Sequence, residues 1–600
     1  MVRTRLLLVV LAVAGVLLAL QLNQGWFPHD EGALGQAAER VLAGEVPHRD
    51  FDEIYTGLLT YLHAAAFKVG GHASTTLRIP LFLFAMAWVA ALYQIALRFT
   101  PPAGAALVAI TAFVWSVPNY PAPMPSWYNL FFATFGTLAL LRATESGHRR
   151  WLVLAGVAGG VSFLFKLSGI FFLLGGGLAL IAASHPRLAE GEPRRTDAYV
   201  AATAVSLILI GIILALGVPI ARAGTYEVAR FLLPLALLIT ALILREWSEG
   251  GTGLRERSRA LASTIGPFAL GAAIPIGVYS LFLAIGGALP ATIDGVLITP
   301  FRRVHFASMR PPAPSAIIYT MVLGLLLVPR ANGRSARVLA VIAAVLCGLL
   351  VVSSGDRVGP YRVAWLAAWG LPAFAALGAT ALLRMKIAAA DTRSTAAVML
   401  TAIALCAVLV EFPFAAPIYT LYAIPLTMLA VMAIVRASGR TPLSLQLVVA
   451  GFLLAFGSLR VNPGTVDTMG HSFRRTDEVA VLTLPRSGLR VRAVSAARYE
   501  QLIGVVEELA PGRTMWAGPD APEVYFLSGV QNQTRTMFDF LDVTTSSMTI
   551  VERIHAARAS LVVLQMLPSF ASPPDSATIA TLRAEFPHTR ALPRFLLLWR

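Results

Sequence analysis

The sequence predicts a polytopic α-helical membrane protein with a small soluble α/β domain at its C-terminal end, and three observations predict it. Of the 600 residues, 57% are hydrophobic and only 13% are charged, where a soluble globular chain carries roughly a quarter charged. Apolar runs of about 16 to 22 residues recur between Arg-rich or Pro/Gly-rich punctuation, which suits a bilayer core of about 30 Å. From about residue 461 the charges return, apolar runs shorten and turn residues multiply.

The first apolar run, 6–22, follows Arg3 and Arg5 as a secretory leader would, but no small-residue cleavage site follows it and Trp26 marks an interface, so it reads as the first span. Further spans are expected at about 77–97, 103–118, 127–142, 151–167, 169–184, 199–221, 229–244, 261–285, 314–328, 337–353, 363–383, 396–411, 416–435 and 442–459, about fifteen in all. With the N-terminus in the cytoplasm, every inside loop is basic, from Arg98 and the Arg142, Arg149 and Arg150 group to Arg436 and Arg440. The opposite loops are poorer in Lys and Arg, so the positive-inside rule sets this orientation. An odd span count then puts the C-terminal domain outside.

The net charge of +16 therefore reads as topology. The Arg residues are scattered over short loops with no stripe of interleaved aromatics, which excludes a nucleic-acid partner. Cys347 and Cys406 both fall within apolar runs, so neither a disulfide framework nor a thiolate metal site is available.

The membrane domain occupies 1–460 and the soluble domain 461–600. In the latter, 495–509 has helical periodicity opened by a Ser cap, 514–517 and 561–565 read as buried strands, and 594–599 as a last strand. The stretch 517–529 lacks the glycine and lysine pattern of a phosphate loop, and Asn532-Gln-Thr534 matches a glycosylation acceptor only as a short motif. The domain either recognises an acceptor or covers the membrane site.

Between the first two spans lie residues 23–76, too long a stretch for a mere connector. Amphipathic patterns at 33–42 and 57–69 predict two interfacial helices. Asp30 and Glu31 precede the first, and Asp50, Asp52 and Glu53 the second. A carboxylate here can remove the proton of a weakly nucleophilic hydroxyl, hold a divalent cation that screens a departing phosphate, or cap the first helix.

The string Pro28-His-Asp-Glu-Gly32 after a first span resembles the Asp-Glu motif in the first external loop of GT-C fold glycosyltransferases, the class of protein O-mannosyltransferases and lipid A aminoarabinose transferases. Gly44-Glu-Val-Pro-His-Arg-Asp-Phe51, Gly57-Leu-Leu-Thr-Tyr-Leu62, Phe67-Lys-Val-Gly70 and Leu77-Arg-Ile-Pro80 are similar in order and spacing to bacterial members. Many relatives carry a Pro-Pro or Pro-Gly pair before the second helix, where this chain has Tyr55-Thr56-Gly57. The resemblance implies a GT-C-like fold, Asp30 as general base or metal-adjacent carboxylate with Glu31 as its neighbour, and a polyprenyl phosphate sugar as donor.

Such a donor needs cations near the base, for which charge-assisted hydrogen bonds to phosphate suit. Lys166, in Phe163-Leu-Phe-Lys-Leu-Ser-Gly169, resembles the family's Phe-x-x-Lys-x-x-Gly stretch; the alternative is a Lys that snorkels to the interface. Arg302, Arg303, His305 and Arg310 cluster in an outside segment, against the positive-inside trend, either to bind phosphate or to contact anionic lipid. Gly355-Asp-Arg-Val-Gly-Pro-Tyr361 resembles another family stretch and adds Arg357 and Tyr361, with Pro360 where relatives have His. Asp50 and Asp52 complete the expected substrate- and phosphate-binding set. Glu411, in a Pro- and aromatic-rich junction, is given no chemistry.

The expected function is therefore transfer of a monosaccharide, hexose or pentose, to a glycan, lipid or protein hydroxyl on the outer side of a bacterial cytoplasmic membrane. Inversion at the sugar is expected. The competing readings are a lipid or solute transporter, against which no pair of equivalent halves is evident, and a polymerase or ligase of lipid-linked glycans.

Overall fold

The computed structural model describes residues 1–185, 196–249, 251–298, 334–356, 370–384, 392–412, 417–439, 443–460, 479–538 and 549–600. Among them eight helices are long and apolar enough to cross a bilayer, including α1 (Val2–Gln21) and α4 (Ser74–Ala96). Shorter apolar helices at Leu167–Ala183, Ala340–Leu349, Leu371–Arg384 and Gln446–Ser458 also fall on expected spans. The expected span at 314–328 and the start of that at 363–383 lie outside the described residues.

The loop after α1 folds into α2 (Pro28–Leu42) and α3 (Leu58–Gly70). Helix α2 starts five residues before its amphipathic pattern because Pro28 opens it with a preset φ. Asp30 and Glu31 therefore sit inside its first turn, where a negative charge suits the helix end. Phe27 is the N-cap, so Asp30 does not cap the helix. Helix α3 starts on Gly57, whose left-handed φ of +98° a β-carbon would strain, and the Tyr279 hydroxyl stands 2.6 Å from where that carbon would be.

Helices α6 (Pro125–Ser146), α7 (Arg149–Phe165) and α8 (Ile170–Ala183) follow α5 (Pro102–Val114). Helix Leu254–Ile285 packs on α7 with Gly156 and Gly160 against the backbone of Phe268 and Ala272, the close approach that small residues permit between apolar helices.

The C-terminal unit is a four-stranded sheet in the order β3 (Met515–Gly518), β4 (Leu561–Gln565), β6 (Phe595–Trp599), β5 (His588–Leu592). The β3–β4 pairing is parallel and the other two are antiparallel. Strand β5 escaped the sequence reading because its side chains are mostly exposed and it shows no apolar run. The expected Ser cap is also corrected: helix Ala493–Leu509 has Arg492 as N-cap and Ser495 within its first turn. The short pair β1 (Val479–Val481) and β2 (Arg490–Arg492) precedes it.

This unit sits directly on the first loop. Gly25 N–H donates to Arg490 C=O at 3.0 Å, Arg490 N–H to Asn23 C=O at 2.7 Å, and Asp52 N–H to Arg535 C=O at 2.8 Å. Buried Arg40 donates to Glu45 and to the Thr534 carbonyl, both at 2.6 Å, and covers the Phe51 ring. One face of α2 meets helix Pro522–Ser528: Gly32 lies under Glu523, Gly35 under Phe526, and Glu39 pairs with Arg486. Glycine is a poor helix former, and its use twice on this face follows from contact.

A β-carbon at Gly35 would stand 2.6 Å from the buried Phe526 ring, which itself stacks on Phe67. Gly35→Val is expected to destabilise docking by about 1–3 kcal/mol, the usual range for overpacking. Limited proteolysis should then release the C-terminal unit faster, and Phe526→Ala in the same chain should restore part of the resistance. Equal release from Gly35→Val and wild type would refute the contact.

Candidate active site

The second face of α2 looks into a cleft. Asp30, Ala33, Leu34 and Ala37 form that wall, with Glu53, Ile54 and Tyr55 before α3, Met124 before α6, and Met537 and Phe538 of the C-terminal unit opposite.

Asp30 is the exposed end of this wall, its side chain 19% accessible. Tyr120, on the loop before α6, donates its hydroxyl to Asp30 Oδ2, and His29 Nε2 stands 3.7 Å from the same oxygen. The charge of Asp30 also reaches Lys166, Tyr55 and Tyr419. Lys166 occupies the extended break between α7 and α8. Its ammonium donates to Ser126 Oγ at 2.9 Å and lies over the rings of Tyr419 and Tyr55, at 5.3 and 5.7 Å. Lys166, 136 positions after Asp30 in the chain, thus lies behind Tyr55, whose ring lines the same cleft as Asp30.

The other acidic residues divide by what holds them. Glu31, expected beside Asp30 in the chemistry, turns the opposite way. Its carboxylate is fully buried against Arg78, with bonds of 2.7 and 2.9 Å, and accepts the Phe27 N–H at 3.1 Å. Arg78 also binds the carbonyls of Gln24 and Gly25 at 2.9 and 2.8 Å, so this pair closes the chain between α1 and α2. Asp50 is taken by Arg49 and the Val46 N–H, and Arg49 holds its carboxyl below the usual range. Asp52 faces Arg535 at 3.4 Å. Neither lines the cleft.

Glu53 does, and it was not among the expected site residues. It is 6% exposed; Thr60 Oγ1 donates to it at 2.5 Å, and the N–H groups of Ile54 and Tyr55 at 2.9 and 3.1 Å. Nothing in the sequence separates it from Asp50 and Asp52. Arg302, Arg303, His305, Arg310, Arg357 and Tyr361 lie outside the described residues. Glu411 forms a buried pair with Arg230 at 2.9 Å, in keeping with a structural part.

The fit to a divalent cation is poor among the described residues. Such ions need several oxygen ligands, whereas Asp30 meets a donating hydroxyl and the field of an ammonium, and no group of three or more His, Cys, Asp or Glu side chains is placed to hold a metal. The donor set suits proton transfer and anion binding.

The loop after β3, dismissed above as a phosphate cradle, reaches the first turn of α2. Glu523 is 1% exposed, accepts the Tyr499 hydroxyl at 3.0 Å, and is pushed up to about 7 by burial, against the lowering effects of its own backbone N–H, Tyr499 and His29. Its ordinary value is 4.5. A carboxyl raised by folding is protonated in both states below about 4.5, so stability of the docked unit falls as pH rises from there and levels off above about 7. The full difference is about 3 kcal/mol. Melting temperature is expected to fall between pH 5 and 8, and Glu523→Gln should flatten that dependence.

A multi-pass membrane protein with an acidic cleft at one end of its helices, roofed by a small α/β unit, is the class that fold and site define. Residues 57–215 match the family model described as dolichyl-phosphate-mannose-protein mannosyltransferase, which bears out the likeness to GT-C fold glycosyltransferases read from the first loop. Among solved structures, the chain is similar to ArnT from Cupriavidus metallidurans bound to undecaprenyl phosphate, at 13% identity and a TM-score of 0.36, covering 98% of this chain and 97% of that one. It is also similar to the archaeal oligosaccharyltransferase AglB from Archaeoglobus fulgidus in complex with an inhibitory peptide and a dolichol-phosphate, at 10% identity and a TM-score of 0.43, covering 93% of this chain and 69% of that one. No curated protein matches by sequence.

Proposed function

We propose that this protein transfers a monosaccharide from a polyprenyl phosphate to an acceptor hydroxyl, with inversion, on the outer side of a bacterial cytoplasmic membrane. The observation that carries the reading is the Asp30 carboxylate facing the cleft, with the Lys166 ammonium 5.7 Å from the ring of Tyr55 in the same lining. The family match over 57–215 supports the reaction class.

Asp30 accepts the hydroxyl proton as the acceptor oxygen attacks the anomeric carbon. The Tyr120 hydroxyl bonded to Asp30 holds the carboxylate in place. Lys166 offers its ammonium to the phosphate oxygen that takes the electron pair of the broken bond. Arg302, Arg303, Arg357 and Tyr361 remain proposed partners of the same phosphate. A transporter would not need a base at this position.

The test is donor turnover by purified protein in nanodiscs, with a short-chain polyprenyl phosphate mannose as the probe, comparing wild type with Asp30→Asn and Lys166→Met. Unchanged turnover in folded Asp30→Asn protein would sink the assignment of the base.

A further inference from the structure

We infer that the β1–β2 hairpin lies in the headgroup layer of the leaflet around α1 and α4, and that its outer face takes anionic phospholipid there. The inference needs α1 and α4 as spans and is independent of the reading of Asp30.

The depth of the hairpin follows from what holds it. Strand β2 runs beside the chain that leaves α1: Gly25 N–H donates to the Arg490 carbonyl, Arg490 N–H donates to the Asn23 carbonyl, and Gln24 stands opposite Arg490. Helix α1 ends at Gln21, so Arg490 lies one strand spacing, about 4.8 Å, from a residue just beyond the span. The turn of the hairpin is tied to the start of the second span. The N–H of Ser74, the first residue of α4, donates to the Arg486 carbonyl at 3.0 Å. A β-carbon at Gly488 would stand 2.8 Å from Thr75 Oγ1. Two membrane-crossing helices thus fix the hairpin at the level of their ends, where the apolar core of a bilayer gives way to headgroups.

The same two helices set its lateral position. Val16 and Leu20 near the end of α1, and Ile79 and Leu83 near the start of α4, are exposed. Both helices therefore stand at the rim of the bundle and present apolar side chains to lipid close to the hairpin. A hairpin that joins the ends of two rim helices borders the surrounding lipid.

The strand register selects the face. Val479 pairs with Arg492 and Val481 with Arg490, so these four side chains share one side of the hairpin. The other side holds Val491, which is buried. Val481 is 56% exposed, and Arg490 is exposed beside it. Valines opposite arginines suit an interface, since apolar side chains enter the acyl boundary while guanidinium groups bond phosphate. Residues 479–492 contain no Asp or Glu, so the face is positive and favours anionic headgroups; Asp477 and Glu478 precede it, outside the described residues. Lys68 and Val69 repeat the combination at the end of α3, both exposed. The Gly70 carbonyl accepts the Thr76 hydroxyl at 3.2 Å, which brings them to the same level.

Two measurements on the full-length protein in nanodiscs test this. In the first, Val481→Cys, with Cys347 and Cys406 replaced by Ala, carries a fluorophore. The quencher is a nitroxide borne either by lipid near its headgroup or by a water-soluble compound. The lipid-borne nitroxide is expected to quench more strongly, and stronger quenching by the aqueous one overturns the placement in the headgroup layer. The second keeps both cysteines. Release of the C-terminal unit by thermolysin is expected to be about fivefold slower in phosphatidylcholine discs containing phosphatidylglycerol than in phosphatidylcholine alone, the effect of one basic residue at an anionic surface. Arg490→Gln should remove most of that difference. Equal release in both lipids, or a lipid effect that survives Arg490→Gln, overturns the assignment of anionic headgroups to this face.

Discussion

Asp30→Asn is expected to slow transfer by about 10²- to 10⁴-fold, the usual contribution of a positioned acid or base, while leaving the fold intact. The amide keeps an oxygen to accept the Tyr120 hydroxyl and has the same shape. What it loses is the capacity to take a proton, and with it the negative charge opposite Lys166. Lys166 keeps its hydrogen bond to Ser126 Oγ and its place over the Tyr419 and Tyr55 rings when that charge is gone. The decisive comparison is rate at saturating donor together with melting temperature. A slow variant with wild-type melting supports the base, and a variant that is slow because it unfolds does not.

Arg78→Ala should behave in the opposite way, with loss of structure first and activity only in consequence. Arg78 and Glu31 are 1% and 0% accessible, and removing one partner of a buried pair costs about 3–5 kcal/mol because the other charge stays buried. Here the loss extends to the carbonyls of Gln24 and Gly25, which Arg78 also binds. The turn that delivers Asp30 to the cleft would therefore loosen. Expected signs are a lower melting temperature and rapid proteolysis within residues 23–57. Glu31→Leu with Arg78→Met should be less harmful than Arg78→Ala, since it leaves no buried ion without its partner. Equal melting of Arg78→Ala and wild type would show that the pair does not hold the loop.

These two expectations separate adjacent residues that the Asp-Glu motif treats as one. The likeness to the motif implied a base or metal-adjacent carboxylate at Asp30 with Glu31 as its companion. Their side chains point to different sides of α2, and only a buried arginine 47 residues later decides which carboxylate faces the cleft. The same holds for the second acidic group. Asp50, Asp52 and Glu53 are alike in the chain, yet Arg49 and Arg535 draw the first two away while Thr60 and two backbone amides hold Glu53 at the cleft.

The sequence by itself determined the membrane character, most helix positions and the two helices of the first loop. Apolar run length, helical periodicity and short motifs are local properties, and a bilayer or a helix reads them locally. Tertiary structure decided the rest: which carboxylate enters the cleft, and why Gly32 and Gly35 stand on α2 against Glu523 and Phe526. The physical reason is that these outcomes depend on contacts between segments from 47 to almost 500 residues apart, where charge pairing and close packing, not local pattern, select the arrangement.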